Sequence, residues 1–216
     1  RIKTHFKDKI IVNSEKVTLN FNLDHQVYFP EEESFFSHNE RYYTKQLISS
    51  ISSKKMCSLP ALVETNKGIK MVITEADLED YPGLWLKGNS SRSLHGKFPG
   101  YPLKEKQTSD RHVKVVEYAD FLTKTIGARC FPWRVIIIAE NAGKLITTQL
   151  PFLLSKPLIS KDSDWIKPGK VAWDWFNNNN IYGINFKAGI NTETYKYYID
   201  FASNYGIEYV ILDEGW

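Results

Sequence analysis

The chain of 216 residues is 42% hydrophobic and 25% charged, the makeup of a folded globular protein, which excludes collagenous, disulfide-dense and disordered classes. Its 28 Lys and Arg are interspersed among 25 Asp and Glu, leaving +3 with no basic stripe, so a nucleic-acid partner is not expected. No apolar run approaches the length of a membrane span, and Cys57 and Cys130 have neither the spacing nor the His neighbours of a zinc or redox site.

From Lys9 to about Ile159 the sequence reads as short strands separated by polar turns, as in KIIVNSEKVTLNFNL, where Val17, Leu19 and Phe21 alternate. An antiparallel sheet system is the expected product. ALVETNKGIKMVITEADL predicts a hairpin around Asn66-Lys67-Gly68, and FPWRVIIIAENAGKLITTQL predicts a second around Asn141-Ala142-Gly143. Gly88 to Arg111, rich in Gly, Ser, Pro and Lys and without a period, predicts a long loop. The polar, turn-forming LISKDSDWIKPGK marks a boundary, giving a β-domain over 1–159 and a second part over 160–216.

In that second part KVAWDW reads as a strand, and Asn191 as the N-cap of a helix with Glu193 in its first turn. Tyr195, Tyr198, Ile199 and Ala202 then form one apolar helix face, and Gly206 suits the position past the helix end. YVILD is apolar until Asp213, the pattern of a strand buried on both faces of a parallel sheet. Strand, helix and strand at this spacing make a crossover unit, and ligands of such sheets sit beyond the carboxyl ends of the strands. That rim holds Asp174, Trp175, Asp213, Glu214 and Trp216. Carboxylates with indoles suit glycosidic chemistry, where acids flank an oxocarbenium-like centre and aromatic faces hold the ring. The same acids also serve simply as loop and helix caps, and spacing alone does not separate the two roles. No dinucleotide, P-loop or nucleophile-elbow motif is present.

Three stretches, VITEADLEDYPGLWLKG, WIKPGKVAWDWFNNN and GINFKAGINTETYKYYIDFASNYGIEYVILDEGW, together resemble glycoside hydrolase family 97, the calcium-dependent α-glucosidases and α-galactosidases. The resemblance implies a β-sandwich of the sugar-mutarotase kind followed by a (β/α)8 barrel, of which only the first β/α unit and second strand fall in this chain. It implies an oligosaccharide substrate and periplasmic or secreted activity. Glu75 matches a sandwich glutamate that helps bind Ca2+, and Glu214 a substrate-contacting glutamate; Trp173 and Trp175 lie in the aromatic motif ending the first barrel strand, and Asp213 and Trp216 flank the glutamate. Phe176 departs from the motif, and FFSHNERYY matches it weakly. The family's general acid and its nucleophile or base are expected beyond Trp216. A barrel needs about 250 residues, so the part from 160 onward cannot close one without the remainder of the catalytic domain, and the chain by itself is expected to be inactive. The alternative is a non-catalytic carbohydrate-binding β-sandwich module.

Overall fold

The computed structural model describes residues 1–109, 112–160 and 162–213. Two compact units divide the chain, Arg1–Pro157 and Leu158–Trp216. The first carries short strands: β1 (Lys3–His5), β2 (Ile10–Val12), β3 (Thr18–Asn20), β4 (Gln26–Glu32), β5 (Tyr43–Leu47), β6 (Met56–Cys57), β7 (Ala61–Glu64) and β8 (Lys70–Ala76). They continue with β9 (Trp85–Lys87), β10 (Ser93–Lys97), β11 (Pro102–Gln107), β12 (Val113–Tyr118), β13 (Thr123–Thr125), β14 (Ala128–Cys130) and β15 (Trp133–Ala139).

Nine of these strands form one antiparallel sheet in the order β15-β8-β7-β4-β6-β9-β10-β3, with β5 also on β4. Strand β4 joins its two halves. Gln26 to Tyr28 pair with β7 and Gln26 to Pro30 with β5, while Glu31 and Glu32 pair with β6. Side chains of both halves meet in a single core, with Val27 and Phe29 of β4, Val63 and Ile73 from one half and Leu86 and Leu94 from the other. The ribbons β1–β14, β2–β13 and β11–β12 flank this sheet as separate antiparallel pairs.

The hairpin expected around Gly68 forms between β7 and β8, and Gly68 adopts a left-handed φ of 81° that a side chain would strain. The second expected hairpin does not form. After β15, Asn141 accepts the Lys144 amide at 3.0 Å through its side chain and caps helix α1 (Ala142–Ile146), followed by α2 (Leu150–Leu154). The turn residues there start a helix because Leu145 and Leu154 find an apolar seat on Val135, Ile137 and Ala76. The segment read as a long loop also departs from expectation, since it contains both β10 and β11. Leu94 of β10 is fully buried, and one well-placed apolar side chain outweighs the polar composition around it.

The second unit contains β16 (Val171–Trp173), α3 (Thr192–Asn204) and β17 (Tyr209–Ile211), with β16 and β17 parallel and Ala172 opposite Val210. Asn191 caps α3 by accepting the Thr194 amide at 2.9 Å, and Gly206 ends it at φ 64°. The buried helix face is Thr194, Tyr198 and Ala202, with Ile199 turned outward, so the face is shifted from the one the apolar residues alone predict. Strand β17 is covered on one face only: Val210 packs towards the helix, whereas Tyr209 and Ile211 are exposed. Two strands and one helix supply a cover for a single side of the pair.

Candidate functional site

Of the candidate residues in the second unit, Trp173, Asp174, Trp175 and Asp213 lie at or just beyond the carboxyl ends of β16 and β17. Trp173 closes β16 opposite Ile211, and the next residue, Asp174, is only 2% exposed. Its Oδ1 accepts the Asp213 amide at 3.2 Å, and its carbonyl accepts the Asn179 amide at 2.9 Å. A buried carboxylate needs such partners, and here they strap the two strand ends together. Asp213 is therefore held by its backbone at the rim beside Asp174. Trp175 and Phe176 follow in a 3-10 turn over Asp174–Asn177 and expose most of their rings. Trp173, Trp175 and Asp213 are thus brought to one end of the unit, and Glu214 and Trp216 lie outside the described residues.

Two tyrosines complete the rim that sequence reasoning assigned only to the helix face. Burial first, and then the charges of Asp174 and Asp213, raise the Tyr195 phenol above its ordinary value. Tyr198 donates to Asn177 Oδ1 at 2.7 Å and is likewise raised by burial. Both phenols stay protonated and can donate. Their signal was available in the spacing: Tyr195 and Tyr198 lie about one and two helical turns past the cap at Asn191.

Beneath the rim, an apolar hollow of about 640 Å3 is lined by Val171, Trp173 and Ile211 of the strands with Tyr197 and Phe201 of α3. It follows from the uncovered strand face.

Glu75 belongs to the first unit, on β8 opposite Arg134 of β15. Both of its oxygens lie near the Leu84 amide, at 3.2 and 3.1 Å, and Arg134 Nη1 donates to Oε2. The same guanidinium forks onto Glu15 through Nε at 2.7 Å and Nη2 at 2.9 Å. Burial raises the Glu75 carboxyl above its ordinary value and outweighs the Leu84 amide and Arg134, which pull it down. Gly83 stands so close that a Cβ there would lie 3.2 Å from Oε1. Beyond Glu75 the backbone turns through Asp77 and Asp80 at left-handed φ of 55° and 48°. Arg1 and Lys156 pair with Asp77 and Glu79 in this turn, and Arg129 donates to the carbonyls of Glu79 and Asp80.

Calcium takes about six to eight oxygen ligands, and the described residues contain no group of three or more His, Cys, Asp or Glu side chains arranged for a metal. Glu75 as placed does not fit a calcium ion, because its oxygens are engaged and a guanidinium already stands against them.

Comparison with known proteins agrees with these two units. Residues 2–157 match the family described as Glycosyl-hydrolase 97 N-terminal, and residues 173–216 match Glycoside hydrolase 97. A retaining alpha-galactosidase of Bacteroides thetaiotaomicron is 42% identical over 185 residues, covering 84% of this chain and 28% of that protein. A probable retaining alpha-galactosidase of Streptomyces bingchenggensis is 28% identical over 160 residues, covering 72% of this chain and 20% of that protein. A glycoside hydrolase family 97 enzyme from Pseudoalteromonas sp. strain K8, solved in complex with acarbose, shares the fold at a TM-score of 0.74 and 23% identity, covering 99% of this chain and 30% of that one. The chain thus spans less than a third of the length of these relatives. With the N-terminal match extending over more than half of its residues, the chain belongs to glycoside hydrolase family 97.

Proposed function

We propose that this chain is the N-terminal portion of an α-glycosidase that removes terminal α-galactosyl residues from oligosaccharides with retention of configuration, acting in the periplasm or outside the cell. The observation that carries the reading is the 42% identity to a retaining alpha-galactosidase over most of the chain. α-Glucosides are the competing substrates, in keeping with the acarbose and panose present in related structures.

In this reading the first unit is a β-sandwich and β16, α3 and β17 begin a (β/α)8 barrel. Trp173 and Trp175 offer exposed indole faces to the sugar, and Asp213, held by the Asp174 strap, stands among them. Retention needs a nucleophile and an acid/base carboxyl roughly 5–5.5 Å apart. Asp174 is committed to the strand ends and serves neither role, so both are assigned to the protein beyond the matched stretch. Calcium assistance is part of the proposal for that longer protein, with Glu75 contributing only after it parts from Arg134.

The test is hydrolysis of nitrophenyl α-galactoside and α-glucoside by a protein containing this chain and the rest of the barrel, with the first-formed anomer read by proton NMR. Release of α-galactose as the initial product is expected, and calcium chelation is expected to reduce the rate. Preference for the glucoside, or initial release of the β-anomer, would overturn the galactoside or retention assignment respectively.

A further inference from the structure

The first unit has an aromatic groove that none of the preceding assignments uses. A hollow of about 420 Å3, within the usual range of roughly 300–1,000 Å3 for small-molecule pockets, is lined by Phe35, Tyr81, Tyr101 and Tyr118 together with Asp80. A second hollow of about 230 Å3 adjoins it across Phe35, Val115 and Tyr118 and adds Lys97, Lys114 and Glu33.

The groove is built rigidly. Tyr101 stacks on Phe121 at 5.4 Å, and its backbone bonds both ways, to the Phe121 carbonyl at 2.9 Å and from the Ala119 amide at 2.8 Å. Tyr118 is set opposite Pro102 by the β11–β12 pairing. A Cβ on Gly100 would fall 2.6 Å from the Ala119 carbonyl, so glycine permits this close approach of the two strands. Phe35 packs edge-on against Trp85 at 5.4 Å with Lys97 Nζ over its ring. Tyr81 is wedged against Phe131 at 5.2 Å and flanked by the Arg129 and Arg134 guanidinia.

The lining chooses the ligand. Flat aromatic faces accept the C–H side of a sugar ring, while carboxylates and ammonium groups at the margins meet its hydroxyls. Among the lining side chains two acids, Asp80 and Glu33, balance two lysines, Lys97 and Lys114, and the guanidinia beside Tyr81 are paired with carboxylates, which suits a neutral polyol. The Asp80 side chain is 89% exposed, and its ion-pair contact to Arg129, at 3.8 Å, is longer than a hydrogen bond and leaves its oxygens able to meet a ligand hydroxyl. From this geometry we infer that the groove is a saccharide-binding site, taking a neutral oligosaccharide with one ring on Tyr101 and Tyr118 and the next beside Phe35 and Lys97. The inference rests on the glycosidase reading for its choice of sugar.

Calorimetric titration of the 216-residue chain with raffinose, maltotriose and methyl α-galactoside tests it directly. Millimolar binding of at least one trisaccharide is expected, weakened about tenfold by Tyr101→Ala or Tyr118→Ala, the loss of one stacking ring at the upper end of its range, and preserved in Tyr118→Phe. Asp80→Asn, at an exposed side chain, should weaken binding without lowering the melting temperature, which keeps the test sound should an alanine variant unfold. Absence of heat with all three sugars overturns the proposal. So does binding that survives in Asp80→Asn and in folded Tyr118→Ala but is lost in Trp173→Ala, which would put the sugar on the second unit. The hydrolytic reading fails on different evidence, the inactivity of the longer protein, and that result leaves this binding measurement intact.

Discussion

A single guanidinium holds two carboxylates that are distant in sequence. Arg134 serves Glu15 across 119 residues and Glu75 across 59, and all three side chains are more than three-quarters buried. Removing it leaves both acids underground without a counter-charge, and breaking a buried pair in that way costs about 3–5 kcal/mol. Arg134→Met should therefore lower the unfolding free energy by about 3 kcal/mol in urea titrations, near the lower end of that range because some exposure remains. Arg134→Lys should recover only part, since an ammonium cannot fork. A loss below experimental error in Arg134→Met would show that the triad contributes no stability. Glu64 gives the complementary pH signature. Lys70 and then Lys45 hold its carboxyl down to about 2. A depressed folded-state value means that its stabilisation is complete above the ordinary glutamate range and is lost as pH falls towards about 2. Thermal melts from pH 5 to pH 2 should accordingly show a shallower decline for Glu64→Gln than for the parent; parallel curves would sink the assignment. At this scale the sequence disclosed Glu75 through its motif but not its partners. Nothing in the local pattern around Arg134 or Glu15 records a contact made across the sheet.

Local chemistry was most legible where it is self-contained. The cap at Asn191 could be read because its acceptor and the Thr194 donor lie within one turn. Its amide also donates to the Lys187 carbonyl at 2.9 Å, tying the incoming loop to the helix. Asn191→Ala should cost about 1 kcal/mol and Asn191→Asp less, because aspartate keeps the oxygen but not the tie to Lys187. Equal melting of the two variants would show that the tie, not the cap, is what matters. Asn141 shows the opposite case. Asn-Ala-Gly is compatible with both a hairpin turn and a helix start, and the choice was made by Leu145 and Leu154 finding Val135 and Ile137. Likewise β10 sits in a polar stretch, and its existence depends on Leu94 reaching a core assembled from strands far along the chain. The phase of α3 was misplaced for a related reason: Thr194 is fully buried because its hydroxyl accepts the Gly189 amide at 3.1 Å, an exchange that hydrophobicity does not register.

The two units differ greatly in how much they bury. The first shares one core among strands of both sheet halves, whereas the second has Ala172, Tyr198 and Ala202 as its buried apolar centre. Small domains with so little interior are marginal, so amides of α3 should exchange with deuterium well before those of β4 and β8. Comparable protection in both by hydrogen-exchange mass spectrometry would contradict this division. The family was visible in the sequence; the sheet order was not, because pairings such as β4 with β6 depend on the three-dimensional route. That route has a consequence in time. The pairings β4–β5 and β7–β8 close short loops, but β15 must bring Ile136 to Ile73 across a long stretch of intervening chain. Long closures come late because their entropy is lost before contacts compensate. Arg134 rides on that distant strand, so by this argument Glu75 is expected to stay an open carboxylate until after the local hairpins have formed.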